Sequence, residues 1–253
     1  MALRIYVRPR LPCDVIARER VSANQWLPPW LRHQHITRYR WAAQFCTAAR
    51  VLDAACANGY GSALLLEAGA RFVAGADIAP EAIAEAARLH RNLPLLVADG
   101  IRLPFHSAAF DVFVSFETVE HVRDDHAFVA EARRVVRQGG AFICSTPNRN
   151  LVNAGKSISD RPFNPFHVRE YTRDELRRLL ASQFATIEWF GQREYERTYV
   201  SALAMAGRVM QSAAVRLHQL RKLAGVPLES AQKHMPVPLV AGSETEVLIA
   251  VCR

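Results

Sequence analysis

Apolar residues fall along this chain in two rhythms. Short, nearly continuous apolar runs occupy 51–54, 71–76, 94–98, 110–116 and 141–146. The first four each end in an acid: Asp53, Asp77, Asp99 and Glu117. Between the runs, apolar residues recur every three or four positions, over 63–68, 81–92 and 125–136. Continuous runs of this length predict strands buried on both faces, and the intervening spacing predicts helices. Strand and helix in alternation predict a doubly wound α/β fold around a parallel sheet. Gly139-Gly140 marks a turn before the fifth strand.

Flanking segments extend the pattern. Upstream, Pro28-Pro29 punctuates the chain and Trp30 opens a helix expected to run to about residue 48. Ile36, Tyr39, Ala43 and Cys46 give it one apolar face. Residues 1–29 are basic and irregular, with a short strand expected over 1–7. Downstream, Thr172-Arg173-Asp174-Glu175 is a capping box for a helix to about residue 182. Strands six and seven are expected over 185–190 and 244–252. Residues 193–242 are far more than a hairpin needs. They are expected to form a helical insertion, with an amphipathic helix over 198–223 that carries Arg208, Arg216, Arg221 and Lys222. A lid over the substrate, a dimer contact and an interfacial membrane helix all suit its apolar residues. The organisation expected is one domain over 1–253, with a helical cap over 1–48 and the insertion over 193–242.

Composition narrows the class. A chain of 253 residues that is 50% hydrophobic can bury a sizeable single core. No apolar run approaches the ~18 residues of a membrane span, and no signal-peptide pattern opens the chain. The five cysteines show no C-x-x-C pairing and read as reduced residues of a cytoplasmic protein. The net charge of +8 comes almost wholly from arginine, with lysine only at 156, 222 and 233. Such a balance admits an anionic acceptor or a peripheral contact with phospholipid. No nucleic-acid-binding module accompanies the charge, so a nucleic-acid partner is not expected. Oligomeric state is left open.

The chemistry centres on Val51-Leu52-Asp53-Ala54-Ala55-Cys56-Ala57-Asn58-Gly59-Tyr60-Gly61-Ser62. It reads as strand, tight turn and helix start, with glycines that let backbone approach a ligand. A dinucleotide site wants G-x-G-x-x-G, and its first two glycines are absent here. Asp53 also suits a cationic cofactor better than a pyrophosphate. Asp77 lies 24 residues beyond Asp53, the spacing of a βαβ unit, where a carboxylate can accept hydrogen bonds from both hydroxyls of a ribose. Capping the following helix is its alternative role, and a turn before Gly100 is that of Asp99.

The stretch resembles motif I of the class I S-adenosylmethionine (SAM) methyltransferases, V-L-D-x-G/A-C-G-x-G-x-G, with Ala57 in place of a usual glycine. Phe116-Glu117-Thr118-Val119-Glu120-His121 and Ser145-Thr146-Pro147-Asn148-Arg149 are similar to a bacterial group that modifies sugars, polysaccharides or secondary metabolites. Glu-x-x-Glu-His is similar to the ubiquinone-biosynthesis O-methyltransferases. The resemblance implies an α/β, Rossmann-like, seven-stranded, mostly parallel sheet with helices on both faces and the last strand antiparallel. It implies SAM as cofactor, held by Tyr39, Asp53, Ala55, Asn58, Gly59, Asp77, Ile78, Asp99, Gly100, Phe116 and Glu117, with His35 and Arg38 nearby. It also implies methyl transfer to a small-molecule or glycan acceptor, most simply a hydroxyl oxygen. His121 is the candidate catalytic base, and His121, Asn148, His167 and Tyr171 are candidate acceptor contacts. Packing against the next helix is the alternative role for His121. Glu117, Glu120 and His121 form an alternative divalent-ion set. A non-catalytic binding module and a nicotinamide-dependent oxidoreductase are the competing functions.

Overall fold

A computed structural model describes residues 29–196, 235–240 and 243–253. The expected strand over 1–7, the expected helix over 198–223 and most of the insertion lie outside the described residues. Helix α1 spans Pro29–Ala42 and ends in a short 3-10 turn, Ala43–Phe45. Strand β1 (Arg50–Ala54) leads through the motif I loop into α2 (Tyr60–Glu67). Strand β2 (Phe72–Asp77), α3 (Pro80–Leu89), β3 (Leu95–Val97) and β4 (Phe110–Phe116) follow. Then come α4 (Asp125–Val135), β5 (Val136–Pro147), the one-turn α5 (Arg149–Val152) and α6 (Arg173–Ala181). Strands β6 (Ile187–Glu196), β7 (Val237–Pro238) and β8 (Ser243–Cys252) complete the chain.

The eight strands form one sheet in the order β3-β2-β1-β4-β5-β8-β6-β7. Pairs among β1 to β5 are parallel, and β8 runs antiparallel to both β5 and β6. The mostly parallel, Rossmann-like sheet expected from the sequence is present. Two-residue β7 is added to the seven expected strands. It pairs with Phe190 and Gly191 of β6 from within the segment assigned to the insertion, and β6 itself runs on to Glu196.

Strand period 2 builds the layers. Leu52, Phe113, Phe142 and Leu248 point to one face, where Phe128 and Val129 of α4 and Leu176 and Leu180 of α6 cover them. Val51, Val112, Val114, Ile143 and Ile249 point to the other, under Tyr39 and Trp41 of α1 and Leu65 of α2. Both faces are therefore buried, which is why these strands read as continuous apolar runs. The Gly139-Gly140 turn is instead a wide irregularity inside β5. Phe110 pairs with Val136, while Val112 pairs with Ala141, so the extra residues bulge out with Gly139 at φ +75°. The Thr172 capping box forms as expected, its side chain accepting from Glu175 N while Glu175 accepts from Thr172 N.

Strand order reverses between β1 and β4, and open α/β sheets bind ligands beyond the carboxyl ends of their strands at that point. Helix α1 is fastened beside it through Gly61. A methyl group on Gly61 would lie 2.1 Å from the Tyr39 ring. Among the described residues, no helix is long and apolar enough to cross a membrane. Gly61→Ala is expected to cost about 1–3 kcal/mol of stability through overpacking against Tyr39. Urea denaturation of the variant and the parent chain checks this.

Candidate active site

Each wall of the site grows from a strand end. The motif I loop turns through three left-handed residues, Ala55 (φ 61°), Ala57 (φ 49°) and Gly59 (φ 79°). Two of these are alanines, each strained by about 1–2 kcal/mol relative to a right-handed conformation. Asp77 at the end of β2 holds the loop: its Oδ2 accepts from Ala57 N at 3.0 Å and its Oδ1 from Ala79 N at 2.9 Å. Asp77 thus joins the loop to the start of α3, and a carboxylate has further lone pairs for ribose hydroxyls. Beside it Ile78 is exposed, an apolar surface next to the proposed nucleoside. Asn58 is buried, yet its Oδ1 has no hydrogen-bond partner among the described residues. A buried acceptor left unpaired is costly, and the ammonium of a bound amino-acid moiety would satisfy it. The loop therefore fits a SAM-type cofactor on its own geometry.

Asp53 occupies a different place from that expected of a direct contact. It is fully buried beneath the loop, accepting from Tyr39 Oη at 3.0 Å and Ser62 Oγ at 2.6 Å. Tyr39 is equally sealed, edge-on to Phe116 and Tyr60 at centroid distances of 5.0 and 5.4 Å. The pair supports the loop from below. Gly100 packs against Phe128, whose ring a methyl group would meet at 2.8 Å. Asp99 is half-buried in a turn and accepts from Ile101 N at 3.2 Å.

Where β4 and β5 end, charged groups are buried together. Arg38, 1% exposed, donates from Nη1 to Glu117 Oε1 and Ser145 Oγ, both at 2.7 Å, and from Nε to Gln192 Oε1 at 2.8 Å. Its guanidinium also lies over the Phe116 ring. Glu117 takes a left-handed backbone, φ 50°. Burial pushes its carboxyl up, but the Arg38 charge and the Ser145 hydrogen bond outweigh burial and hold it below the usual range. His35 is driven down to about 4 by burial and by Arg38, so it is neutral. Glu120 is fully buried, with Oε2 accepting from Thr146 Oγ1 at 2.9 Å and Oε1 unpaired among the described residues. Burial and the neighbouring Glu117 hold Glu120 well above the carboxylate range, so it is a neutral acid.

His121, half-buried on a 3-10 turn after β4, donates from Nδ1 to Phe166 O at 3.1 Å and lies edge-on to His167 at 4.8 Å. The structure thus brings His121 and His167 together. Asn148 and Tyr171, also expected as acceptor contacts, are buried with other partners. Asn148 is fully buried and donates to Glu244 and to Thr245 O, since it caps α5 against β8. Tyr171 is a core residue that donates to Asp125 at 2.7 Å. In the expected ion set of Glu117, Glu120 and His121, Glu117 is bound to Arg38. Glu120, His121 and His167 do place one ligand atom each within 4.8 Å of one another. However, both His167 nitrogens are engaged, Nδ1 with Glu170 and Nε2 with Asn164, so the trio reads as a hydrogen-bond network. Sequence reasoning missed Asn153, Glu170 and Gln192. The first two are polar loop residues and the third lies inside a strand, positions that carry no periodic signal.

The strand order and the Asp77-held loop define an α/β domain with the motif I turn at its switch point. Residues 52–144 match the methyltransferase domain family. A probable S-adenosylmethionine-dependent methyltransferase of Mycobacterium tuberculosis is 39% identical over 151 residues, covering 60% of this chain and 53% of its own. A ubiquinone biosynthesis O-methyltransferase of Cereibacter sphaeroides is 39% identical over 106 residues, 40% of this chain and 42% of its own. The chain spans about half the length of the curated relatives it matches. A solved SAM-dependent methyltransferase of Thermotoga maritima shares the fold, with a TM-score of 0.57 at 14% identity over 88% of this chain and 91% of its own. The match over residues 52–144 is to a methyltransferase domain, and the Mycobacterium tuberculosis relative is one described as S-adenosylmethionine-dependent.

Burial, opposed by hydrogen bonds from Ser62 and Tyr39 and reinforced by Asp77, pushes the Asp53 carboxyl up to about 7. Its folded value lies above its unfolded one, so its contribution to stability is full below about pH 4 and is lost as pH rises towards 7. A cationic cofactor above it favours the ionised form. Cofactor binding near neutral pH is therefore expected to release a fraction of a proton. Asp53→Asn should abolish that release. Calorimetry of SAM binding in buffers of different ionisation enthalpy measures it.

Proposed function

We propose that this chain transfers the SAM methyl group to a hydroxyl oxygen of a small-molecule or glycan acceptor. The observation that carries the reading is the motif I loop, with Asn58 Oδ1 unpaired and Asp77 beneath it, beside a half-buried histidine at the end of β4. When bound, SAM supplies an activated methyl group. Asn58 would hold its ammonium, Asp77 its ribose and Ile78 its base. The chain's remaining work is alignment, water exclusion and proton removal.

Methylating a hydroxyl releases one proton. Because Nδ1 of His121 donates to a carbonyl, the ring proton is on Nδ1 and the basic lone pair on Nε2. His121 Nε2 takes the acceptor proton in this reading. The resulting imidazolium then passes its proton on to solvent. Phe116 and Tyr39 of α1, buried and packed edge-on, would exclude water from the cofactor side. The match to ubiquinone-pathway O-methyltransferases supports oxygen as the acceptor atom, and the positive charge of the chain suits an acceptor carrying an acidic group.

Titration of the purified chain with SAM, S-adenosylhomocysteine and NADH should give binding of the two sulfur nucleosides and none of NADH. Tight NADH binding alone would overturn the assignment. Asp77→Ala should weaken SAM about 10- to 100-fold, the loss of a hydrogen bond to a charged acceptor. His121→Gln should lower transfer about 100- to 10,000-fold while leaving SAM affinity unchanged. An acceptor screen with labelled methyl groups reads out this second effect.

A further inference from the structure

The segment between α5 and α6 folds into a closed ring of side-chain bonds that ends on His121. Asn153 anchors it at 2% exposure: Oδ1 accepts from Phe163 N at 3.0 Å, and Nδ2 donates to Glu170 Oε2. Glu170, 3% exposed, accepts at Oε1 from His167 Nδ1 at 2.7 Å. His167 Nε2 faces Asn164 Nδ2 at 2.9 Å. Asn164 Oδ1 accepts from Phe166 N at 3.1 Å, which fixes the amide's orientation and makes Nδ2 the donor to His167. His167 is therefore a neutral ring with its proton on Nδ1, directed at Glu170. The next carbonyl along, Phe166 O, receives Nδ1 of His121. The ring is pinned from the other side as well, since Val168 N donates to Glu120 O at 2.8 Å on the turn that carries His121.

We propose that Glu170 is a positioning residue for His121. Acting through His167 and Asn164, it fixes the Phe166 carbonyl on His121 Nδ1 and so keeps the basic lone pair on Nε2. This rests on the reading of His121 as the base, but its test is independent of any acceptor. A neutral histidine takes either tautomer with small preference in water, and a fixed acceptor at Nδ1 selects one. The chain from Asn153 to Phe166 accounts for both oxygens of this buried carboxylate: they hold a histidine and an amide in one arrangement. Glu170→Gln keeps the shape but offers a single acceptor oxygen, so it cannot serve Asn153 and His167 together.

The test uses the full chain labelled with 15N-histidine, observed through two-bond proton–nitrogen couplings at about pH 8.5, roughly two units above the ordinary imidazole value. The His121 signals are assigned by their loss in His121→Gln. In the parent chain, Nδ1 is expected in the protonated range and Nε2 in the bare range. In Glu170→Gln and in Asn164→Ala, the two signals are expected to move towards each other, with the Nδ1–H form falling from predominant to about half. Circular dichroism and thermal melts establish that each variant is folded. If Glu170→Gln does not fold, Asn164→Ala, at a half-buried loop position, carries the comparison. An unchanged Nδ1–H preference in a folded variant, or an Nε2–H ring in the parent, overturns the proposal. Transfer assays are a separate readout: their failure with the tautomer shift intact counts against methyl transfer and leaves the positioning role standing.

Discussion

The Arg38 guanidinium ties this site together. It is almost wholly buried, where an unpaired charge would cost several kcal/mol. Its partners come from three strands: Glu117 after β4, Ser145 on β5 and Gln192 on β6. Satisfying it therefore fixes α1 against the carboxyl edge of the sheet. Tyr39, one residue on, is carried onto Asp53 and over Gly61 by the same helix. Removing one member of such a set leaves the others charged and dry, so α1 and the ends of β4 and β5 stand or fall together.

Three acids cluster around the same strand ends, and their surroundings separate their roles. Arg38 keeps Glu117 ionised. Glu120 is buried beside Glu117 and is held neutral. Asp53 lies between, poised near neutrality because burial opposes the hydroxyls of Ser62 and Tyr39. Pairs of titratable groups pushed apart in this way are characteristic of sites that handle protons or bind charged ligands. The arrangement leaves a carboxyl with a raised pKa beneath the motif I loop and a buried carboxyl with a raised pKa beside His121.

The motif I loop illustrates a local rule broken at a functional position. Alanines at 55 and 57 adopt left-handed backbone that glycine takes without strain. The hydrogen bond from Ala57 N to Asp77 holds the second of them there. A methyl group at 57 is thus compatible with the loop, because the geometry is imposed by Asp77 rather than by the freedom of the residue itself.

The sequence by itself determined the sheet, its helices and the acids at its strand ends. Those features depend on local periodicity and on the chain's own turn chemistry, which neighbouring residues carry. It also placed Asp77, Ile78 and His121 just past strand ends, where the structure has them. Only the tertiary structure decided depth. Asp53 and Asn148 look like their exposed counterparts in one dimension, and burial is set by packing of α1 and β8, which lie far off in the chain. Burial alone decides whether a carboxylate meets a ligand or a tyrosine. The Asn153–Glu170–His167–Asn164 ring was invisible for the same reason: its bonds join loop residues without periodicity, and their meaning depends on which carbonyl ends up facing His121.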